Sequence, residues 1–288
     1  MPQQKTDTVK EFDFTKNDFE RVRALIYQRA GISLADSKQE MVYSRLARRL
    51  RATGIQTFLR YLDDLEAGRM GAEWEAFTNA LTTNLTSFFR ESHHFPLLAE
   101  HLVALRRKQG GAPLTIWCSA ASTGEEPYSI AMTACEAFDT LTPPVQIIAT
   151  DIDTNVLATG ATGVYPMERM EKLDPARLKR FFMRGKGGNE GMARVRPELR
   201  QLVSFRQLNL LADGWPVEGQ FDAIFCRNVM IYFDKDTQRK ILARFVPLMK
   251  PHALLFAGHS ENFLYVSDSL RLRGKTVYEL DPAPRAAR

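Results

Sequence analysis

Two adjacent acids in the middle of the chain, Glu125 and Glu126, occupy positions where their side chains could contribute to a ligand site. They follow an apolar, β-branched run typical of a buried strand, residues 114–119 (LTIWCS), and a turn of small residues, 120–124 (AASTG). Small residues let the backbone turn sharply and lie close to a ligand. Because acids are favoured at the positive end of the helix dipole, Glu125 and Glu126 are predicted to begin a helix.

A second pair of acids, Asp151 and Asp153, ends another apolar run, residues 145–150 (VQIIAT). This order of elements is that of half a nucleotide-binding βαβ unit: a strand, a tight turn, a helix, a second strand and a terminal acid. In such units the acid commonly binds ribose hydroxyls. Gly124 is the only glycine in the turn, however. A plain structural turn therefore explains this spacing equally well.

The elements around this unit are predicted from hydrophobic spacing. Residues 1–81 are expected to form a small all-helical domain, because apolar residues recur at intervals of three and four. Beyond it, helical and strand patterns alternate, which predicts a doubly wound α/β domain whose sheet closes with an antiparallel hairpin near Gly274. Residues 167–209 depart from this alternation and contain a helix, a glycine-rich turn and two β-like runs, residues 192–195 and 203–210.

One helix of the N-terminal domain carries most of its positive charge. Residues 38–51 hold five basic side chains and one acid, whereas residues 1–81 as a whole hold 13 basic and 12 acidic side chains. Arg45, Arg48 and Arg51 step around one side of this helix at intervals of three. A solvated helix face usually mixes both signs, so we expect a functional basic stripe. Such a stripe suits an acidic helix and a phosphate backbone equally well.

The remaining features bound the class of protein. The chain of 288 residues has a net charge of +5, three cysteines without CxxC spacing and no apolar run as long as a membrane span. Residues 1–10 are polar and do not resemble a signal peptide. These features predict a cytoplasmic protein with buried free thiols. No metal site is expected, because the adjacent His93 and His94 would point in different directions on a helix.

Five motifs, each rich in polar residues, occur in one order along the chain. They are residues 84–90 (NLTSFFR), 121–129 (ASTGEEPYS), 150–153 (TDID), 226–234 (CRNVMIYFD) and 258–262 (GHSEN). Together they closely resemble those of the bacterial chemotaxis receptor methyltransferases. The resemblance runs from about Asp18 to Leu280.

This resemblance implies an architecture and a reaction. The architecture is a small all-helical N-terminal domain of residues 1–81, followed by a Rossmann-like methyltransferase domain of residues 82–288. The second domain includes a linker, residues 82–95, and a small β insertion at about 167–209. The cofactor is S-adenosylmethionine (SAM), with S-adenosylhomocysteine (SAH) as the product. The reaction is methyl esterification of glutamate side chains on cytoplasmic chemoreceptor helices, which serves adaptation in chemotactic signal transduction.

The resemblance also implies which residues form the site. The expected cofactor-binding residues are Asn84, Thr86, Arg90, Glu126, Asp151, Asn209, Leu210, Arg227 and Asn228. Asp151 is expected to hold the ribose hydroxyls, and Asn209 and Leu210 to border the adenine. Arg90 and Tyr232 are the expected catalytic residues, because Arg90 should reach in from the linker and Tyr232 should lie near the transferred methyl group. Each also has a structural interpretation: a helix cap for Asp151, a surface ion pair for Arg90 and a core position for Tyr232.

The glycine-rich part of the insertion resembles a loop by which some members of the family hold an aromatic-containing tail peptide at the receptor C-terminus. The residues concerned are Arg184, Gly185, Lys186, Gly187, Gly188 and Gly191. Glycines let a peptide backbone approach closely, a free sheet edge accepts an added strand, and basic side chains attract a terminal carboxylate. A tight hairpin turn explains the same glycines.

Other functional classes make different demands on the sequence. A nucleic-acid methyltransferase shares the cofactor and the basic charge, but it should carry a motif such as Asn/Asp-Pro-Pro-Tyr to bind a flipped base, and this chain has none. A non-catalytic nucleotide-sensing module would have no use for Arg90 or Tyr232. A nicotinamide dehydrogenase should carry Gly-x-Gly-x-x-Gly after the first strand, which is also missing.

Overall fold

The computed structural model describes residues 10–109 and 111–282, and the chain divides into two compact units, Met1–Thr82 and Thr83–Arg288. The polar N-terminal stretch that was not expected to be a signal peptide lies outside the described residues as far as residue 9. Within the described ranges, no helix combines the length and the apolar character needed to cross a membrane.

The described part of the N-terminal unit is helical, as the spacing predicts. Its α-helices are α1 (Lys16–Ala30), α2 (Gln39–Thr53), α3 (Phe58–Glu66) and α4 (Glu73–Leu81). α1 begins with a capping box, in which Thr15 and Asp18 exchange side-chain-to-backbone hydrogen bonds, and ends at Gly31 with a φ of 69°. Val22 and Leu46, two of the apolar residues at helical spacing, are fully buried in the core of this unit.

The C-terminal unit contains a seven-stranded sheet and a three-stranded sheet. Its elements in chain order are α5 (His94–Gln109), β1 (Leu114–Cys118), α6 (Glu125–Ala137), β2 (Val145–Asp151), α7 (Thr154–Thr162), β3 (Val164–Pro166), α8 (Pro175–Phe181), β4 (Phe182–Arg184), β5 (Met192–Val195), α9 (Pro197–Gln201), β6 (Val203–Gln207), β7 (Phe221–Cys226), α10 (Lys235–Phe245), β8 (Met249–Ala257), β9 (Leu270–Gly274) and β10 (Val277–Leu280). The large sheet has the order β6-β2-β1-β7-β8-β10-β9. Its first five strands are parallel, and β10 and β9 pair antiparallel at the edge. The predicted doubly wound sheet with an antiparallel edge is therefore confirmed.

Both faces of the large sheet are covered, which explains why its central strands are rich in apolar residues. In β1, Ile116 and Cys118 pack into the cluster that contains α5 and α6, whereas Trp117 between them packs into the cluster that contains α10. Successive residues of a strand point to opposite faces, so both faces of the central strands carry apolar side chains. Where polar side chains are buried within these strands they are hydrogen-bonded, as Asp222 in β7 is to Lys250.

The order of the strands reverses between β1 and β7. From β1 the chain continues outward through β2 and β6, and it then returns to pair β7 with the other side of β1. Ligands of open parallel sheets bind outside the carboxyl ends of the strands at such a reversal. The carboxyl ends of these strands are therefore the place to look for a site.

The β insertion differs in extent from the predicted stretch of residues 167–209. The small sheet has the order β3-β5-β4, so it starts before residue 167, at Val164, and its last strand ends at Val195. The second β-like run of that stretch becomes β6, which pairs parallel with β2 in the large sheet. Local spacing identified both runs as strands, but it does not show which sheet a strand joins.

The cysteines are buried as the sequence predicts, and His94 is buried as well. Cys118, Cys135 and Cys226 are free thiols in the interior. His94 begins α5, is fully buried, and has its Nε2 2.9 Å from the carbonyl oxygen of Lys275. Burial lowers the pKa of His94 to about 4, so its imidazole is neutral near pH 7 and serves packing.

Candidate active site

Asp151 ends β2 and closes the tight turn that follows β1. Its Oδ2 accepts a hydrogen bond from the main-chain N–H of Ser122 (2.8 Å), and its Oδ1 accepts one from the N–H of Asp153 (3.0 Å). Burial raises the pKa of Asp151 to about 6, although these two hydrogen bonds favour the ionised form. The carboxylate is thus held at a strand end where desolvation makes its charge costly, which is typical of a binding group.

The linker residue Asn84 is fixed against the same strand end. Its Nδ2 donates to Asp153 Oδ2 (2.7 Å), while its carbonyl oxygen accepts a hydrogen bond from Ser122 Oγ (3.0 Å). Asp153 also caps α7 through Asn155 N. Thr86 lies two residues further along the linker and is partly exposed. Asn84 therefore lies at the end of β2, where it contacts Asp153 rather than Asp151.

A buried charge network connects the start of α6 with the end of β7. The Arg227 guanidinium, whose side chain is 1% exposed, pairs with Glu126 Oε2 at 2.7 Å and with Glu91 Oε2 at 3.3 Å. Glu126 Oε1 accepts a hydrogen bond from the Cys118 thiol (3.2 Å). Burial raises the pKa of the Glu126 carboxyl, an effect that the charge of Arg227 partly offsets. Arg227, predicted to bind the cofactor, uses its guanidinium to hold two carboxylates.

Glu91 connects this network to two strand ends. Its Oε1 accepts hydrogen bonds from Asn228 Nδ2 (3.2 Å) and from the main-chain N–H of His259 (3.1 Å). Burial alone would raise the pKa of Glu91, but the hydrogen bond from His259 and the charge of Arg227 hold that pKa below its ordinary value. Glu91 is therefore ionised near pH 7 and holds Asn228, which lies in the loop that leads from β7 to Tyr232.

Arg90 immediately precedes Glu91 in the linker. Its carbonyl oxygen accepts a hydrogen bond from the buried guanidinium of Arg227, and its own Nη1 donates to the carbonyl oxygen of Leu85 (2.7 Å). The charge of Arg90 also lowers the pKa of Glu126, which places its guanidinium within electrostatic reach of that carboxylate. The side chain is half-buried and closes the linker loop on itself.

Asn209 and Leu210 follow β6, the neighbour of β2. Asn209 Oδ1 accepts a hydrogen bond from Leu211 N (2.9 Å) in an Asx-type turn. Leu210 is buried in the cluster that contains Trp117 and Phe245. This turn lies at the carboxyl end of its strand, as do the predicted residues that follow β1, β2 and β7.

The arginines of the basic stripe have partners within the N-terminal unit. Nη1 of Arg45 donates to the carbonyl oxygens of Ala80 and Thr82 at the end of α4, and Arg51 pairs with Glu11. Arg48 is exposed. Arg45 is thus also a capping residue for α4, whereas Arg48 presents its charge to solvent.

The glycine-rich stretch of the insertion connects β4 to β5 as a hairpin. A Cβ on Gly185 would lie 2.0 Å from the carbonyl oxygen of Asn189, so glycine is required there by the turn itself. Gly187 and Gly191 adopt positive φ angles of 58° and 80°, and a Cβ on either would meet no atom within 4 Å. Arg184 ends β4 and is exposed. The turn is therefore closely packed at Gly185, whereas space remains around Gly187 and Gly191.

Two site carboxylates had no role in the sequence analysis: Glu91, which directly follows the motif of residues 84–90, and Glu261, which lies within that of residues 258–262. Glu91 stands next to Arg90, and Glu261 stands three residues after Gly258 at the end of β8. Their positions could have identified them from the sequence, since Glu261 is an acid near a strand end and Glu91 is an acid next to a predicted catalytic residue. Their partners lie far along the chain: Asn228 is 137 residues from Glu91 and 33 from Glu261.

Comparisons with known proteins agree with this geometry. Residues 84–278 match the family model described as CheR methyltransferase, SAM binding domain, and residues 17–82 match the one described as CheR methyltransferase, all-alpha domain. The chain is 56% identical over 269 residues to chemotaxis protein methyltransferase 2 of Pseudomonas aeruginosa, covering 93% of this chain and 95% of that protein. It is 56% identical over 262 residues to the chemotaxis protein methyltransferase of Escherichia coli, covering 91% and 90% of the two. Chemotaxis protein methyltransferase 2 of Vibrio cholerae is 35% identical over 277 residues, covering 94% and 95%.

Proposed function

The chain belongs to the CheR methyltransferase family, and we propose that it transfers the methyl group of SAM to glutamate side chains of chemoreceptors, with SAH as the other product. The observation that carries the proposal is the convergence of polar side chains at one edge of the large sheet. Asp151, Asn209 and Asn228 follow three of its parallel strands, and the linker brings Asn84 and Arg90 to the same edge. This edge includes the point where the strand order reverses.

The side chains at this edge fit SAM chemically. SAM carries a vicinal diol, an adenine and a methionine group with one ammonium and one carboxylate. Asp151 is the acceptor for the diol, and the Asn209 turn borders the adenine. Asn84, Thr86 and Arg90 are placed in the linker to hold the methionine group. When bound, SAM supplies an electrophilic methyl group on a sulfonium.

The reaction requires alignment and desolvation rather than acid–base chemistry. A glutamate side chain has an ordinary pKa of about 4.3 and is already ionised at neutral pH, so it needs no general base. Opposite charges attract more strongly where water is excluded, and a fixed approach direction reduces the entropic barrier. We assign this alignment to Arg90, which precedes Glu91 in the linker, and to Tyr232, which lies in the segment between β7 and α10.

The location of the transferred label tests this function. Receptor-containing membranes and duplex DNA are incubated together with the protein and methyl-labelled SAM, and the protein and nucleic-acid fractions are separated. We expect the label in the protein fraction alone, on the receptor band. Label in the DNA would contradict the proposal, as would the absence of transfer despite SAH binding.

We further propose that the basic stripe of α2 docks the acidic methylation helices of the receptor in the cytoplasm. The support is the concentration of positive charge on one helix of a nearly neutral domain, with Arg48 exposed at its centre. Arg45 and Arg51 contribute charge while they hold their own partners. Long-range attraction of this kind raises the rate of encounter and weakens with added salt.

Replacing Arg45, Arg48 and Arg51 together with glutamate is expected to lower receptor methylation at low salt by on the order of tenfold. The KM for receptor should rise and its salt dependence should diminish, while SAH affinity is unchanged. Arg48→Glu alone tests the stripe without disturbing the cap on α4. Arg60→Glu, an exposed arginine on α3 with a side chain 76% exposed, is the matched control. Normal methylation by the triple variant at low salt would contradict the docking role and show that the stripe is only a solvated helix face.

A second docking proposal concerns the insertion: the hairpin between β4 and β5 holds a receptor tail peptide. β4 pairs with β5 on one side and is an edge of the small sheet among the described residues, so an added strand has a place to pair. Arg184 and Lys186 are exposed near that edge and suit a terminal carboxylate. A bound tail would raise the local concentration of receptor without a new contact at the active site.

Calorimetry with a synthetic receptor tail tests this proposal. We expect saturable binding by the unmodified protein and a loss of on the order of tenfold or more in affinity for Arg184→Glu combined with Lys186→Glu, because both charges then oppose the terminal carboxylate. Gly187→Pro serves to disturb the loop backbone without changing charge. No binding at high peptide concentration would leave the hairpin with a structural role.

A further inference from the structure

Glu261 is a buried carboxylate whose acceptor capacity is directed entirely at the main chain of neighbouring loops. It is 5% exposed. Among the described residues its Oε1 accepts hydrogen bonds from the N–H groups of Val229 (3.0 Å) and Met230 (2.8 Å). Its Oε2 accepts from the N–H of Asn228 (2.9 Å) and from that of Gly258. One side chain thus satisfies the donors of two separate segments.

These donors lie at the carboxyl ends of two adjacent parallel strands, β7 and β8. Three consecutive N–H groups belong to residues 228–230, which begin two positions after Cys226, the last residue of β7, and the fourth belongs to Gly258, directly after β8. Hydrogen bonds to an ionised carboxylate are roughly twice as strong as neutral ones. Glu261 therefore connects the two strand ends and immobilises the loop between β7 and α10.

The loop held in this way has a conformation that needs support. Asn228 has a φ of 58°, in the left-handed region, which asparagine adopts more readily than most residues other than glycine. Its side-chain amide is turned toward Glu91 while its N–H points at Glu261. A one-turn 3₁₀ helix, Met230–Tyr232, follows and carries Tyr232. Removal of the Glu261 acceptors would leave the N–H groups of residues 228–230 without these partners.

Gly258 completes the arrangement by allowing the strand ends to approach. A Cβ at this position would lie 2.4 Å from Asn228 Nδ2, 2.7 Å from Asn228 N and 2.8 Å from Glu261 Oε2. Contacts below 3.0 Å force the neighbouring atoms to shift. The main-chain N of Asn228 cannot shift as easily as the end of a flexible side chain, so a side chain larger than that of glycine would displace the backbone there. Gly258 and Glu261 therefore act together on Asn228. This gives a physical reason for both residues in the motif of residues 258–262.

We propose that Glu261 is a positioning residue for methyl transfer: its carboxylate fixes the loop after β7 so that Asn228 and Tyr232 meet the cofactor in a productive geometry. The proposal rests on the function proposed above. The hydrogen bonds that the structure describes for the Glu261 carboxylate all come from main-chain N–H groups, so it acts through the loop. A purely structural role would lower the stability of the fold but leave the folded protein with normal cofactor affinity.

Glu261→Gln tests the proposal with a side chain of the same shape. The amide keeps one accepting oxygen but turns an NH₂ group toward main-chain donors, which leaves buried N–H groups without an acceptor. We expect on the order of a tenfold loss of SAH affinity by calorimetry, since an unsatisfied buried donor has a cost of that size. The kcat should also fall, whereas the KM for receptor stays the same. Circular dichroism establishes that the fraction measured is folded.

Two comparisons separate positioning from stability. Glu279→Gln is the matched control, because Glu279 pairs with Arg271 on the β9–β10 hairpin and should leave SAH affinity unchanged. In an Asn228→Ala background, Glu261→Gln should change SAH affinity by less than about twofold, because residues that act through one another are not additive. Should Glu261→Gln fail to fold, Gly258→Ala, which keeps the carboxylate but forces it from Asn228, is expected to lower SAH affinity similarly.

The outcomes distinguish this proposal from the proposed function. Absence of SAH binding by the unmodified protein would contradict the proposed function itself. Normal SAH affinity and normal kcat in folded Glu261→Gln would overturn the positioning role alone, as would an equal loss of affinity in the presence and absence of the Asn228 side chain. A loss of SAH affinity on Glu261→Gln that occurs only when Asn228 is present supports the positioning role.

Discussion

Arg90→Ala is expected to reduce the kcat for receptor methylation by on the order of a hundredfold or more, with the fold intact. Arg90 lies outside the parallel strands, yet its carbonyl oxygen is bonded to the buried Arg227 and its guanidinium closes the linker on Leu85. Removing the guanidinium frees the linker and also removes a positive charge near Glu126. The measurement is steady-state methylation of receptor membranes, together with thermal unfolding of the variant.

A matched control is available in α5, where Arg106 also donates from a guanidinium Nη1 to a carbonyl oxygen, that of Ala112. Arg106→Ala should leave kcat unchanged, because this bond lies on the surface away from the carboxyl ends of the strands. Near-normal turnover by Arg90→Ala would show that the linker does not belong to the active site.

The second large effect is expected at Asp151. Asp151→Asn should weaken SAH binding by on the order of a hundredfold, because a charged acceptor for the ribose hydroxyls becomes an amide that offers one acceptor and two donors. The amide would also place donors opposite the N–H groups of Ser122 or Asp153. Calorimetric titration with SAH measures the loss directly.

The pH dependence of binding gives a second readout for Asp151. Its pKa is raised to about 6 by burial, with a smaller contribution from the charge of Asp153, and binding requires the ionised form. Since the proton must leave, SAH affinity of the unmodified protein should be constant above about pH 7 and fall by roughly tenfold per pH unit below the pKa. Asp151→Asn should flatten this part of the profile.

Asp222→Asn controls for the loss of a buried carboxylate as such. Asp222 is fully buried near the amino end of β7, where it accepts hydrogen bonds from Lys250 and His252. This variant should unfold at a lower temperature, because the Lys250 ammonium and the His252 ring lose the carboxylate with which they pair, but it should bind SAH normally. Equal SAH affinity in Asp151→Asn and the unmodified protein would remove Asp151 from the site.

Local patterns were sufficient to predict the framework of the fold. The buried runs of β1 and β2, the small-residue turn between β1 and α6, and the capping residues Thr15 and Asp18 all depend on interactions within a few residues of sequence. The alternation of strands and helices then fixes a doubly wound sheet, because parallel strands need helical crossovers. These features appear in the structure where the spacing predicts them.

Contacts between residues far apart in the sequence could not be predicted from local patterns. Neighbouring residues on a helix point about 100° apart, and nothing local shows that Glu126 meets Arg227 whereas Glu125 meets Arg169. The assignment of β6 to the large sheet depends in the same way on pairing with β2. The role of Glu261 depends on donors about thirty residues away, which no periodicity encodes.

The chemical nature of the methylated product tests the central claim most directly. Receptor membranes are incubated with methyl-labelled SAM and the protein, and the labelled receptor is then divided between mild alkali and neutral buffer before peptide mapping. Methyl esters hydrolyse in alkali, so the account predicts that the label is released as methanol and that the modified peptides carry it on glutamate. Label that survives alkali, or that maps to lysine, arginine or histidine nitrogen, would contradict it.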